Sequence, residues 1–544
     1  MAVRLRGSPI RSSHDIDRED GADRSLARIR THRRAGVARV LAAAAALSAA
    51  IALQVGAVMA GGTRGPAVQH DTPVSAMDLV HKPANNSPSL TVDPTDSRFV
   101  VQVNRQDAPY GCSMDLSGDG GRSWTTANPI TLPAVADSCY APNIAFDRTG
   151  RLYYLFVGLS GAGHTPIGVF LASSTDRARS FSRPRQALGP DRFQVRMALD
   201  PTVGRYGRLD LVWLAAGAPP PTGGFAPVPN PIMFAFSDDG GQTFSNPRQV
   251  SDPGRTYLDA PSVALGPNHV VHIVYYDLKT DVRDYEGLEG PSWEGTWALV
   301  ATTSADGGAH FQAGVVVEPA VVPPGRVMLI YTMPPPSVAV DGHDDVFVSW
   351  YDNRNGDWDV FLRRSTDGGR HFEGPIRIND DPRGDGIDQY LPALAVASTG
   401  RVDAVFYDRR SDPFNAYNDV YYTYSNDQGR HWSRNVKLTI WSSNPSYGPR
   451  YTVVSAKGLV EIGARLALAS TPSKVLAAWT DTRNEQRGNG AQDIFGTAIT
   501  FRSSAALRNA LQWFAMAFAG LGVLLLGLAA WVVVGVRRHT SQAG

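Results

Sequence analysis

The sequence predicts an all-β fold, a β-propeller of seven four-stranded blades with six blades as the alternative, flanked by one or two transmembrane helices. Three observations predict it. An eight-residue phrase recurs six times along the 544 residues. Short alternating runs, bounded by Gly, Asp, Asn and Ser turns, fill the intervals. Two uncharged apolar stretches bracket the whole.

The phrase reads SGDGGRSW at 117–124, STDRARSF at 174–181, SDDGGQTF at 237–244, SADGGAHF at 304–311, STDGGRHF at 365–372 and SNDQGRHW at 425–432. Its starts lie 57, 63, 67, 61 and 60 residues apart, a period that belongs to repeat architectures. The shared acid is Asp119, Asp176, Asp239, Asp306, Asp367 or Asp427. Short and rigid, it can accept backbone N–H groups two residues on and tie the hairpin to itself. The fifth-position Gly supplies a left-handed backbone, so Ala178 in the second copy predicts a looser turn. The eighth-position Phe or Trp is expected to fill the gap between sheets. His310, His371 and His431 occupy a variable slot and read as turn residues.

Each unit opens with a strand-one run, such as SPSLTVDP from Ser87, APNIAFD from Ala141 or LPALAVAS from Leu391. A turn, a second strand such as VFVSWYD ending at Asp352, and a third strand lead into the phrase, and a fourth leaves it. There are seven openings but six phrases, because the last unit ends after its third strand at 493–501. A closed ring leaves no strand edge unpaired. The missing strand is therefore expected from the N-terminal side, where 74–80 reads as extended.

The apolar stretches set the expected domain plan. Residues 1–39 form an Arg-rich cytoplasmic leader, 40–63 a transmembrane helix or signal peptide, and 64–508 an extracytoplasmic propeller. Residues 509–536 read as a transmembrane helix with Trp513 and Trp531 near its ends, and 537–544 as a short cytoplasmic tail. The membrane is then a partner, and the location is the cell membrane. Cys112 and Cys139 fall in one repeat unit and can form a disulfide in that setting, with free thiols the alternative. Fifty-two basic against 51 acidic residues leave no footprint for nucleic acid. Neither CxxC nor HExxH occurs, so neither metal nor cofactor is expected.

Candidate site residues lie on the face opposite the phrases, where strand-two ends and strand-one approaches gather. Strand-two ends carry Tyr351-Asp352-Asn353-Arg354, Tyr407-Asp408-Arg409-Arg410 and Trp479-Thr480-Asp481-Thr482-Arg483, with an echo at Val103-Asn104-Arg105. Arg105, Arg354, Arg410 and Arg483 could grip a carboxylate, or each Asp could brace the Arg beside it. The strand-one approaches vary more: Asp137 and Tyr140, Arg196, Tyr257 and Asp259, Asp388 and Tyr390, and Glu461. Tyr390 as nucleophile, Glu461 as its base and Asp259 as proton donor would meet the needs of glycoside hydrolysis. Each could equally be a rim residue. The loop with Asp380, Asp381, Asp385 and Asp388 matches no calcium-loop spacing and reads as solvated surface.

The phrase resembles the Asp-box, or bacterial neuraminidase repeat, of the sialidase superfamily, over 87 to about 501. That resemblance implies a propeller, and for its sialidase members an exo-glycosidase with three carboxylate-binding arginines, a tyrosine nucleophile paired with glutamate, and an aspartate acid/base. The superfamily's Arg-Ile-Pro motif is absent from this chain. The expected function is a membrane-anchored propeller binding a glycan or surface protein ligand. The alternatives are a sialidase-like exo-glycosidase acting on terminal acidic sugars and a scaffold for a cell-envelope assembly.

Overall fold

A computed structural model describes residues 66–75, 84–107, 109–127, 130–162, 164–190, 192–215, 229–281, 293–323, 334–448, 450–451, 459–460, 462–484 and 492–501. Seven antiparallel sheets follow one another along the chain, each running outward in sequence order, so the fold is a seven-bladed propeller of four-stranded blades. The innermost strands are Ala84–Val92, Ser138–Phe146, Arg192–Asp200, Leu258–Leu265, Ser337–Val340, Gln389–Val396 and Ala467–Ser470, in blades 1 to 7.

Blade 7 joins the two ends of the repeat array. Its third strand, Asp493–Thr500, pairs with Ala67–Val68 and Thr72–Pro73 from the N-terminal side. The closing strand thus comes from the expected side but earlier than 74–80; only Val74 and Ser75 of that run are described, both donating to the Ile494 carbonyl. Pro73 is tolerated there because an outermost strand has a free side that needs no N–H. Arg483 clamps the closure through Asp71 at 2.7 Å.

All six Asp-boxes share one bonding scheme. In the fourth blade, Ser304 Oγ donates to Asp306 at 2.8 Å and accepts the Gly308 N–H at 2.7 Å, while Asp306 accepts the His310 N–H at 2.8 Å. The Asp thus reaches the backbone four residues on, not two. His310, His371 and His431 bond back to their own box Asp through Nδ1. Ala178 takes φ 61° and donates to Ser174 Oγ at 3.0 Å, so its turn closes like the others. The eighth-position rings enter the clusters between blades: Phe181, Phe244, Phe311, Phe372 and Trp432 each pack against one.

The membrane reading is corrected. No helix among the described residues is long and apolar enough to cross a membrane. The described helices are two three-residue 3-10 turns, Pro267–His269 and Pro445–Tyr447. The stretches 40–63 and 509–536 lie outside the described residues. The anchor was read from apolar length, Trp513 and Trp531 near the ends of one stretch and flanking arginines, and no described element provides one. The transmembrane flanks, the membrane as partner and the extracytoplasmic location are withdrawn with it.

Candidate functional site

Residue positions at the channel mouth follow from a defect repeated in the innermost strands. Pairing with the second strand shifts register in blades 1, 2, 3, 4 and 6, and the bulged residues Ser87, Ala141, Gln194, Ala260 and Leu391 all have φ between 49° and 55°. Gly463 takes φ 81° ahead of the blade 7 strand. A bulge re-aims the side chains on either side of it.

Tyr140, Asp259 and Tyr390 each stand one residue before such a bulge, in blades 2, 4 and 6. Asp259 and Tyr390 are buried there, whereas Tyr140 is only partly covered. Tyr390 is buried against Tyr407 and Tyr351; its hydroxyl donates to Asn418 at 2.7 Å and accepts from Arg409 at 3.2 Å. Burial pushes its phenol above the ordinary tyrosine range. Asp259 is buried and accepts from Gln194 Nε2 at 2.7 Å. Asp259 and Tyr390 lie in blades 4 and 6 with different hydrogen-bond partners, and Glu461 lies outside the described residues.

The strand-two arginines are already engaged by carboxylates. Arg354 Nε donates to Asp352 at 2.8 Å and its Nη2 forms an ion pair with the same carboxylate. Arg410 meets Asp408 at 2.7 Å, with Asp380 and Asp381 beside it. Burial works against the Arg410 charge, but these three acids outweigh it and raise its pKa. Arg483 is shared by Asp481 and Asp71. This also accounts for half of the acidic loop, since Asp380 and Asp381 serve Arg410.

Arg105 differs, because it also donates to a tyrosine of the neighbouring blade. Its Nη1 donates to the Tyr140 hydroxyl at 2.6 Å while its Nη2 holds Asp107 at 2.8 Å. Two further arginines join this pair electrostatically. Arg196 is on the innermost strand of blade 3, two residues past Gln194. It has neither a hydrogen bond nor an ion pair among the described residues. Burial pushes its guanidinium down to about 10, against the opposing influence of Tyr140. Arg465, two residues past Gly463, reaches from blade 7 to the Pro88 carbonyl of blade 1 at 3.0 Å and the Pro142 carbonyl of blade 2 at 2.7 Å. Burial, then Arg196, then Arg105 push its pKa well down.

An arginine in a protein does not release its proton. Arg465 feels the Arg196 charge, and both guanidiniums are partly buried with no carboxylate partner among the described residues, an arrangement that suits an anion. Their planar forks suit carboxylate, sulfate or phosphate oxygens. The Cys112–Cys139 disulfide, with Cα atoms 5.8 Å apart, ties the third strand of blade 1 to the residue before Tyr140. Sequence reading had Tyr140 and Arg196 among the strand-one approaches. It missed Arg465, whose sole signal was a charged residue inside an otherwise apolar opening, GARLALAS.

No family model matches the chain, and no curated protein matches it. Among solved structures it is similar to a protein of unknown function from Dyadobacter fermentans, at 14% identity over 81% of this chain and 100% of that one, TM-score 0.42. It is similar to an ulvan lyase at 11% identity over 81% and 99%, TM-score 0.47. A Hadza microbial sialidase is similar at 14% identity over 74% of each chain, TM-score 0.41. Likeness this distant concerns the fold and carries no activity.

Proposed function

We propose that this propeller acts on glycans that end in an acidic sugar, as a sialidase-like exo-glycosidase, with the acidic group seated between Arg196 and Arg465. One observation carries the reading: both guanidiniums sit half-buried on the channel with no carboxylate partner among the described residues. Arg465 meets only backbone carbonyls, so neither charge has an acid of the protein to balance it. Tyr140 is the hydroxyl in the same cluster, and the Arg105 hydrogen bond favours negative charge as it develops on that oxygen. A tyrosine nucleophile is an accepted alternative to a carboxylate in glycoside hydrolysis.

The test is release of fluorophore from sialosides, glucuronides and neutral glycosides by the wild type, Tyr140→Phe and Arg196→Ala. Release confined to acidic glycosides, lost in Tyr140→Phe while binding persists, is expected. Binding that depends on Arg196 with no release anywhere would leave a lectin-like propeller in place of the enzyme. Neutral substrates cleaved as well as acidic ones would sink the anion seat.

A further inference from the structure

We infer that blade 6 carries a second carbohydrate-binding surface, an aromatic platform of Phe414, Tyr417 and Trp441 with Ile440, that holds neutral sugar rings of the same glycan. Its direction of binding rests on the acidic-sugar reading of the channel; the platform itself does not.

Six large hydrophobic side chains are exposed among the described residues, and four of them are here: Phe414 at 87%, Trp441 at 69%, Ile440 at 46% and Tyr417 at 41%. Single exposed apolar residues are ordinary, whereas a cluster rimmed by polar groups marks a place where something binds. Phe414 and Tyr417 lie on the loop between the second and third strands of blade 6, Val402–Asp408 and Asp419–Ser425. Ile440 and Trp441 lie on the segment leaving its outermost strand, Val436–Lys437. Asn418 and Ser443 exchange backbone hydrogen bonds of 2.8 and 2.9 Å and fix the two segments side by side. Both segments are on the face of the channel mouth, since Asn418 accepts the Tyr390 hydroxyl and the Asn444 carbonyl accepts from Thr482 of blade 7 at 2.6 Å.

The loop is ordered by its own bonds. Asp412 accepts the N–H groups of Phe414, Ala416 and Tyr417 at 3.1, 2.9 and 2.9 Å. Arg409 donates to the Asn415 carbonyl at 2.8 Å, and the Asn415 amide donates to Asp388 at 2.7 Å. A backbone ordered this way lowers the ordering cost of binding.

Area and charge choose the occupant. An aromatic residue buries about 150–250 Å² when fully covered, so these four partly covered side chains offer only a few hundred Å². A stable protein partner covers about 800 Å² on each side. The patch fits one or two sugar rings, whose C–H faces suit the negative face of an aromatic ring. The nearby charges are internally answered, as Lys437 is paired with Asp419 at 2.8 Å. Nothing there selects an ion, so the ring that stacks is neutral and the acidic end belongs to the channel.

The full chain is titrated with acid-capped oligosaccharides (sialyllactose, and xylo-oligosaccharides bearing one glucuronic acid), the free sugar acids, and the uncapped neutral chains. Trp441→Ala and Phe414→Ala are expected to weaken the capped oligosaccharides roughly tenfold and to leave the free acids unchanged. Arg196→Ala is expected to lose the free acids and to retain weak binding of neutral chains. Unchanged affinity in both aromatic variants overturns the platform, as does failure of the wild type to bind any member. A dimer seen by ultracentrifugation that Trp441→Ala dissociates also overturns it, assigning the patch to a second copy. Loss in the aromatic variants with no effect of Arg196→Ala leaves the platform standing and removes the channel reading.

Discussion

Arg196→Met should make the unliganded protein more stable while destroying its anion site. Methionine keeps most of the side chain's length and packs well in irregular space. What it removes is a charge whose burial lowers the guanidinium from 12.5 to about 10. Each unit corresponds to about 1.36 kcal/mol, so holding that charge costs the fold roughly 3 kcal/mol. Channel water still reaches the half-buried group, which brings the recoverable part to about 1–2 kcal/mol. Because the folded value lies below the unfolded one, the penalty is present at every ordinary pH. Urea unfolding at neutral pH, with and without sulfate, measures it. The wild type should unfold earlier than Arg196→Met without sulfate, and sulfate should raise the wild-type midpoint more than the variant's, by specific binding to the native state on top of its general stabilising effect. A variant less stable than wild type by 1 kcal/mol or more, or sulfate raising both midpoints equally, would refute the reasoning.

Three further outcomes follow from the scaffold. Replacing Cys112 and Cys139 by Ser opens a 27-residue separation and should cost about 3–4 kcal/mol in urea unfolding. Asp115 is buried with only the Thr126 hydroxyl at 2.7 Å, and burial raises its carboxyl to about 7. Its folded value exceeds the unfolded one, so stability is full below about pH 4 and falls as pH rises through 7; Asp115→Asn should flatten that slope, read by unfolding midpoints at stepped pH. Gly241→Ala would place a Cβ against Leu171 of the neighbouring blade at φ 79°, and should lower stability by about 3 kcal/mol with blade 2 losing protection first in hydrogen exchange.

The scaffold was legible because its signals are local. A Ser, an Asp and a Gly (Ala178 in one copy) within five residues close each box, so six boxes could be counted from the sequence. The seventh blade followed from counting openings against boxes. Its closing strand was placed too late, because Ala67–Val68 and Thr72–Pro73 are too short to carry a periodic signal. The site was hidden for the opposite reason. Arg105, Tyr140, Arg196 and Arg465 come from blades 1, 2, 3 and 7, and their meeting is a property of the ring. Tyr390 misled because an approach to strand one looks like a rim residue, while the bulge at Leu391 buries it. The membrane flanks were read from apolar length, which describes a stretch without establishing a helix.

Calorimetric titration of the wild type with N-acetylneuraminic acid and with its methyl ester tests the anion seat most directly, because esterification removes the carboxylate charge and adds only a methyl group. Binding of the acid at least tenfold tighter than the ester, with the difference erased in Arg196→Ala, is the predicted result. Equal affinity for acid and ester, or a preference that survives loss of Arg196, would contradict it.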